Sequence, residues 1–255
     1  MGYEHIEAGI ASGLGTITLN RPPVNVLNIA MMNEINGVLD SWRGQKGLKA
    51  VLFQAKNKCF SAGVDVGEHM GDLAPKMIDA FHGMFRRMEA LGVLTVSSVF
   101  GSCLGGGCEL AIFCDLVIAS EDAKFGQPEI QVGVFPPIAA QIMPRIIGQK
   151  AAMELILSGK IISASDAKNI GLVNQVVGKD ALAEATTEFL KPYLNLSAEV
   201  LRLTKKAVKS GLADPLEPSL KAIEDVYLKE LLPTKDAQEG LVAFLEKRKP
   251  QWQNA

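Results

Sequence analysis

The sequence predicts an α/β fold built on a mainly parallel sheet. Three observations carry this expectation: short buried strands, glycine-rich turns at their carboxyl ends, and amphipathic helices following those turns. Repeated strand–turn–helix units need crossover connections, which join parallel strands. Beyond residue 136 strand signals fade and helical periodicity takes over.

In chain order, two short strands are expected at 3–8 and 14–19, around a turn region spanning Gly9 to Gly15. Asn20-Arg21-Pro22-Pro23 then breaks the pattern. Ile29, Met32, Ile35, Val38, Leu39 and Trp42 recur at helical spacing, so the prediction is a helix over 29–43. Lys49 to Gln54 is a buried strand leading into Cys59 to Asp65. Residues 74–91 form a second amphipathic helix and Thr95 to Phe100 a second buried strand. That strand ends in the run Gly101 to Gly107, ahead of a helix over 106–113. A third strand, Asp115 to Ser120, precedes Lys124 to Glu129.

Helices are then expected over 138–147, 149–157, 163–169, 179–193, 197–210, 215–231 and 235–248. Ser163 to Asp166 reads as a helix start and Gly171 as its stop, while Asp214-Pro215 and Leu232-Pro233 punctuate the last helices. We expect a core over 1–195 and a helical tail over 196–255. The tail's apolar stripe, with Leu220, Ile223, Val226, Tyr227 and Leu231, needs a partner surface, either its own core or another subunit.

Composition narrows the function. With 255 residues, 48% hydrophobic and 21% charged, the chain can bury a substantial core. A net charge of −2 gives no general attraction to nucleic acid or anionic lipid. The opening residues carry no secretory pattern and no apolar run is long enough to span a bilayer, so a cytoplasmic location is expected. The four cysteines lack paired spacing and lie far in sequence from the three histidines. They read as buried, reduced thiols rather than metal ligands.

The chemistry concentrates in two frames: Gly-Gly-Gly-Cys-Glu at 105–109 and Phe-Gly-Gln-Pro-Glu at 125–129. Gly105-Gly106-Gly107 opens a helix, where free N–H groups and the positive end of the helix dipole converge. The Ala62-Gly63-Val64 turn can supply a second donor, and two donors together polarise a carbonyl. Glu109, followed by Leu110, Ala111, Ile112 and Phe113, is expected to be buried with a raised pKa. Glu129 follows a proline that restricts its backbone. His69, after Glu68, could line a pocket mouth, with solvated helix polarity the favoured reading. Neither a phosphate loop nor a Gly-x-Ser-x-Gly nucleophile is present.

These residues resemble the crotonase (enoyl-CoA hydratase/isomerase) superfamily. The resemblance rests on Phe60 to Asp65, Gly101 to Glu109, Phe125 to Glu129, Asn20-Arg21-Pro22 and Glu239 to Lys249, and spans nearly the whole chain. It implies a crotonase-like spiral of ββα units, a C-terminal helical trimerisation segment, and a homotrimer or homohexamer. It also implies an acyl-CoA thioester as substrate, with no metal and no cofactor beyond the coenzyme A that the substrate carries. The oxyanion hole would be the backbone N–H groups of Val64 and Gly106. Glu109 would orient and deprotonate water and Glu129 would deliver a proton to carbon. Val24, Val26, Leu27, Ala62, Gly63, Asp65, Val66, Gly105, Pro136 and Lys247 would contact the acyl-CoA.

Both glutamates of the hydratases are present, so the implied reaction is water addition to a conjugated enoyl or dienoyl thioester. The alternatives are a short-chain enoyl-CoA hydratase of fatty-acid β-oxidation, an enoyl-CoA isomerase, and a non-catalytic RNA-binding or scaffold protein of the same fold. Gly67 replaces the family's usual basic residue two places after Asp65. Phe135 to Arg145 departs from the glycine-rich stretch of common short-chain hydratases. Its Pro, Ile and Ala residues stiffen and fill the helix start beside the acyl pocket. In this the sequence is similar to the cyclohexa-1,5-diene-1-carbonyl-CoA hydratases of anaerobic aromatic degradation.

Overall fold

The computed structural model describes residues 2–196, 198–210 and 216–251. Its main sheet has six strands in the order β1-β2-β3-β4-β6-β9. β1 (Ile6–Ala11) and β2 (Leu14–Leu19) form an antiparallel hairpin, and β2, β3 (Ala50–Ala55), β4 (Leu94–Val99), β6 (Leu116–Ser120) and β9 (Gln175–Val177) run parallel. The crossovers are α1 (Ile29–Ser41) between β2 and β3, α2 (Leu73–Leu91) between β3 and β4, and α3 (Gly106–Phe113) between β4 and β6.

A second, three-stranded sheet was not expected. β5 (Ser102–Leu104) pairs parallel with β7 (Lys124–Gly126), which pairs antiparallel with β8 (Ile161–Ser163). At three residues each, these strands are too short to show a period in the sequence. β1 also lies further along than expected. The chain turns tightly at Ser12 and Gly13, both at positive φ, and Gly9 is an ordinary strand position paired with Thr16 rather than a turn.

Beyond β7 the chain is largely helical: α4 (Pro137–Ile147), α5 (Gln149–Ser158), α6 (Ala164–Asn169) and α7 (Leu182–Leu194), then α8 (Ala198–Ser210), α9 (Leu216–Asp225) and α10 (Lys235–Leu245). The expected start of α6 is a full capping box: Ser163 accepts from the Asp166 N–H, and Asp166 reaches back to Ser163. Residues 197 and 215, the expected starts of α8 and α9, lie outside the described residues, as does the Asp214-Pro215 punctuation. The expected single helix over 215–231 is instead α9 followed by a π-helical turn, Val226–Leu231. The last helix ends at Leu245 rather than 248.

One contiguous core joins the sheet, α1, α2 and the tail. Leu220, Tyr227, Leu232, Ala237 and Leu241 are buried in the same cluster as Phe53, Phe81 and Phe125, and Leu231 packs against it. The tail's stripe thus finds its partner surface on its own chain. The side chains of Ile223 and Val226 lie outside the described ones. An anchor deep in α2 helps: fully buried His82 places Nδ1 2.9 Å from Glu224 Oε1, and Arg86 also binds that carboxylate. The four cysteines are free and buried, as expected. Among the described residues no helix is long and apolar enough to cross a membrane.

Candidate active site

Three stretches of backbone lie side by side at the carboxyl ends of β3 and β4. Residues 24–27 hydrogen-bond to 62–65 through Ala62 N–H to Val24 O (3.0 Å), Leu27 N–H to Gly63 O (2.8 Å) and Asp65 N–H to Leu27 O (3.0 Å). Ser61 bonds in turn to 102–104: its N–H donates to Ser102 O at 3.1 Å and its carbonyl accepts from Leu104 N–H at 3.0 Å. Gly63 N–H goes to Ser61 Oγ (3.2 Å), Gly105 N–H to Gly126 O (3.0 Å) and Glu109 N–H to Gly105 O (2.9 Å). Among the described residues, the N–H groups of Val64 and Gly106 have no protein acceptor. Buried amides are normally paired, whereas these two donors are left bare on one cavity wall.

Close approach explains the glycines. A methyl group on Gly106 would lie 2.4 Å from Val64 Cγ2, and one on Gly107 2.5 Å from Ser61 Cβ. Gly105 has φ 51° and ψ −131°, a backbone region reserved for glycine. A methyl there would also lie 2.7 Å from Glu129 Oε1. The triple glycine therefore brings the helix start, the Val64 turn and the second carboxylate together.

Both glutamates face a cavity of about 310 Å³, a volume within the range of small-molecule sites. Glu109, in the first turn of α3, is 2% exposed, and its Oε1 accepts the Ala139 N–H at 2.8 Å. Burial lifts its pKa to about 7 against the opposing pull of the Ala139 and Ile138 N–H groups. Glu129 opens a short 3₁₀ turn, Pro128–Val132. Burial, and then the charge of Glu109, push its pKa well above the carboxylate range. Fully buried Gln127, with its amide nitrogen toward the carboxylate, lies 3.3 Å from both Glu129 oxygens.

Ala62, Gly63, Val64, Val66, Gly105, Gly106 and Pro136 also line this cavity. Val24, Val26, Leu27, Asp65 and Lys247 do not. Leu27 is fully buried, and Asp65 Oδ1 accepts the Gly67 N–H at 3.0 Å, capping the 3₁₀ turn Val66–His69. Lys247 is exposed beyond the end of α10, three residues after the cavity-lining Phe244.

Contrary to the sequence reading, His69 is not solvated helix polarity: it is part of the cavity wall. Its Nδ1 lies 2.9 Å from the Asp65 carbonyl, which can only accept, so Nδ1 carries the hydrogen. Burial first of all lowers its pKa and keeps the ring neutral. Tyr227 and Phe135 complete an aromatic side of the cavity, their rings edge to face at 5.3 Å. The only signal for Tyr227 was the tail's unpartnered stripe. Gln127 sat unremarked inside the second glutamate's own frame.

The family model for enoyl-CoA hydratase/isomerase matches residues 9–255. The chain is 38% identical over 238 residues to the cyclohexa-1,5-dienecarbonyl-CoA hydratase of Thauera aromatica, covering 93% of this chain and 92% of that one. It is 33% identical over 242 residues to the short-chain-enoyl-CoA hydratase of Clostridium acetobutylicum, covering 92% of each. A crystal structure of an enoyl-CoA hydratase from Mycobacterium avium subsp. paratuberculosis matches with a TM-score of 0.88 at 25% identity, covering 99% of this chain and 100% of that one. The chain belongs to the enoyl-CoA hydratase/isomerase family.

Proposed function

We propose that this member of the enoyl-CoA hydratase/isomerase family adds water to a conjugated enoyl or dienoyl thioester of coenzyme A. The observation that carries the reading is the pair of carboxylates, Glu109 buried and Glu129 half-buried, sharing one cavity with two unengaged backbone donors. The thioester oxygen sits against the Val64 and Gly106 N–H groups, which stabilise the enolate formed as water attacks the β carbon. Glu109, ionised from about pH 7, takes the proton of the attacking water. Glu129, kept protonated by burial and by its neighbour's charge, gives its proton to the α carbon. One C–O and one C–H bond form, and the pair ends with its protonation states exchanged, to be reset through solvent. The scheme draws on the two carboxylates and the backbone donors alone.

In this reading, segments 24–27 and 62–66 border the coenzyme A path. Their contacts come mainly from backbone, because Leu27 is sealed in the core. Exposed Lys247 would meet a coenzyme A phosphate outside the cavity, reaching it from a neighbouring subunit. The tail after residue 195 would serve assembly into trimers while also closing the acyl cavity.

For the acyl group we favour cyclohexa-1,5-diene-1-carbonyl. Pro136 and Pro137 make a rigid start to α4, the wall of Phe135 and Tyr227 is aromatic, and the Thauera aromatica relative carries that activity in its name. A linear short-chain enoyl group is the second reading, favoured by the Clostridium acetobutylicum relative. Assaying purified protein with crotonyl-CoA and with cyclohexa-1,5-diene-1-carbonyl-CoA decides between them. A higher kcat/KM on the dienoyl ester is expected; no activity on either removes the hydratase reading.

A further inference from the structure

We propose that the hydroxyl of Tyr227 is a third polar group at the reaction centre, donating a hydrogen bond to the oxygen that enters as water and remains as the product alcohol. This rests on the hydratase reading. Tyr227 stands on the π-helical turn Val226–Leu231, a local geometry often found at functional sites. Its ring is 1% exposed, edge-on to Phe135 and 6.4 Å from the His69 ring, and it lines the same cavity as Glu109 and Glu129.

A buried phenol normally finds a partner. Among the described residues the Tyr227 hydroxyl has none, and the residue lines the cavity. Burial first, then the charges of Glu109 and Glu129 facing it, hold its pKa above the usual phenol range. It therefore stays protonated and keeps a hydrogen to donate.

The other polar side chains of the cavity are engaged or of the wrong kind. Gln131 Nε2 donates to the Gly159 carbonyl at 3.3 Å, and the Nδ1 hydrogen of His69 goes to Asp65. Ionised Glu109 can only accept, and Glu129 spends its proton on carbon. A water attacking with one lone pair has a second one free. Among the described residues lining the cavity, Tyr227 carries the hydroxyl able to meet it.

Tyr227→Phe tests this without disturbing packing, since the ring stays and the lost hydroxyl bonded nothing in the protein. The expected result on crotonyl-CoA is a kcat about tenfold lower, the effect of one neutral hydrogen bond, with KM within about twofold. Binding supplies a readout that a packing role would not move. 3-Hydroxybutyryl-CoA should bind about tenfold more weakly to Tyr227→Phe, while butyryl-CoA, which lacks the alcohol, binds as to wild type. Wild-type hydration with an undiminished kcat in Tyr227→Phe, or equal weakening of both ligands, overturns this inference alone. A wild-type protein that hydrates neither thioester overturns the hydratase reading and this inference with it.

Discussion

Replacing Glu109 by Gln should make the protein more stable and nearly inactive at once. The amide keeps an oxygen for the Ala139 N–H, bonded at 2.8 Å, so the local structure persists. Burial raises the Glu109 pKa from 4.5 to about 7, so the native state holds this proton more tightly than the unfolded chain. For a carboxyl raised in this sense, stability falls as pH climbs from 4.5 to 7. At about 1.4 kcal/mol per unit, the ionised side chain costs the fold about 3 kcal/mol near pH 8 and about 1 kcal/mol near pH 5. Glutamine carries no such penalty. Urea unfolding of both proteins at the two pH values should show a stability gap of roughly that size, larger at the higher pH. Hydratase kcat in the same preparations should fall by about 10²–10⁴-fold. A variant no more stable than wild type near pH 8, or a gap equal at both pH values, would refute the reasoning.

Three further outcomes are expected. The kcat/KM for hydration should fall below about pH 7 as Glu109 takes up its proton, and hold above it until Glu129 ionises; a profile flat from pH 5 to 8 contradicts this assignment. Gly106→Ala places a methyl 2.4 Å from Val64 Cγ2 and 3.0 Å from Phe81 Cζ. It should cost about 10²-fold in kcat by separating the two donors, and a rate near wild type would show that their spacing does not matter. Glu224→Ala strands Arg86 and His82 beneath α9 and should cost about 3 kcal/mol, raise KM and expose the tail to trypsin. Unchanged stability and KM would show that the tail is held elsewhere.

The site's chemistry was legible where it is written locally. A glycine run opening a helix signals bare N–H groups whatever surrounds it, and an apolar stretch after Glu109 signals burial. Ser163 with Asp166 announced a helix start for the same reason. What the sequence hid is what tertiary structure assembles. Tyr227 lies nearly a hundred residues from Glu129, and the π-helical turn that bears it follows a stripe indistinguishable from ordinary core packing. His69 looked like a polar helix residue because nothing in its neighbourhood says that the tail will cover it. β5, β7 and β8 are too short for periodicity, yet they hold Gly105 and Glu129 in place through the Gly105–Gly126 bond. Glu129 was legible from its frame and from the family resemblance, whereas its close approach to Gly105 and the Gln127 amide beside it were not.

If this carboxylate pair adds water to the thioester's double bond, the new oxygen of the product comes from solvent. Hydration of crotonyl-CoA in water enriched in oxygen-18 can be followed by mass spectrometry of the acyl product. One labelled oxygen is expected in the product of the wild-type protein and almost none with Glu109→Gln. Loss of the conjugated thioester without uptake of label, or undiminished uptake by the variant, would contradict it.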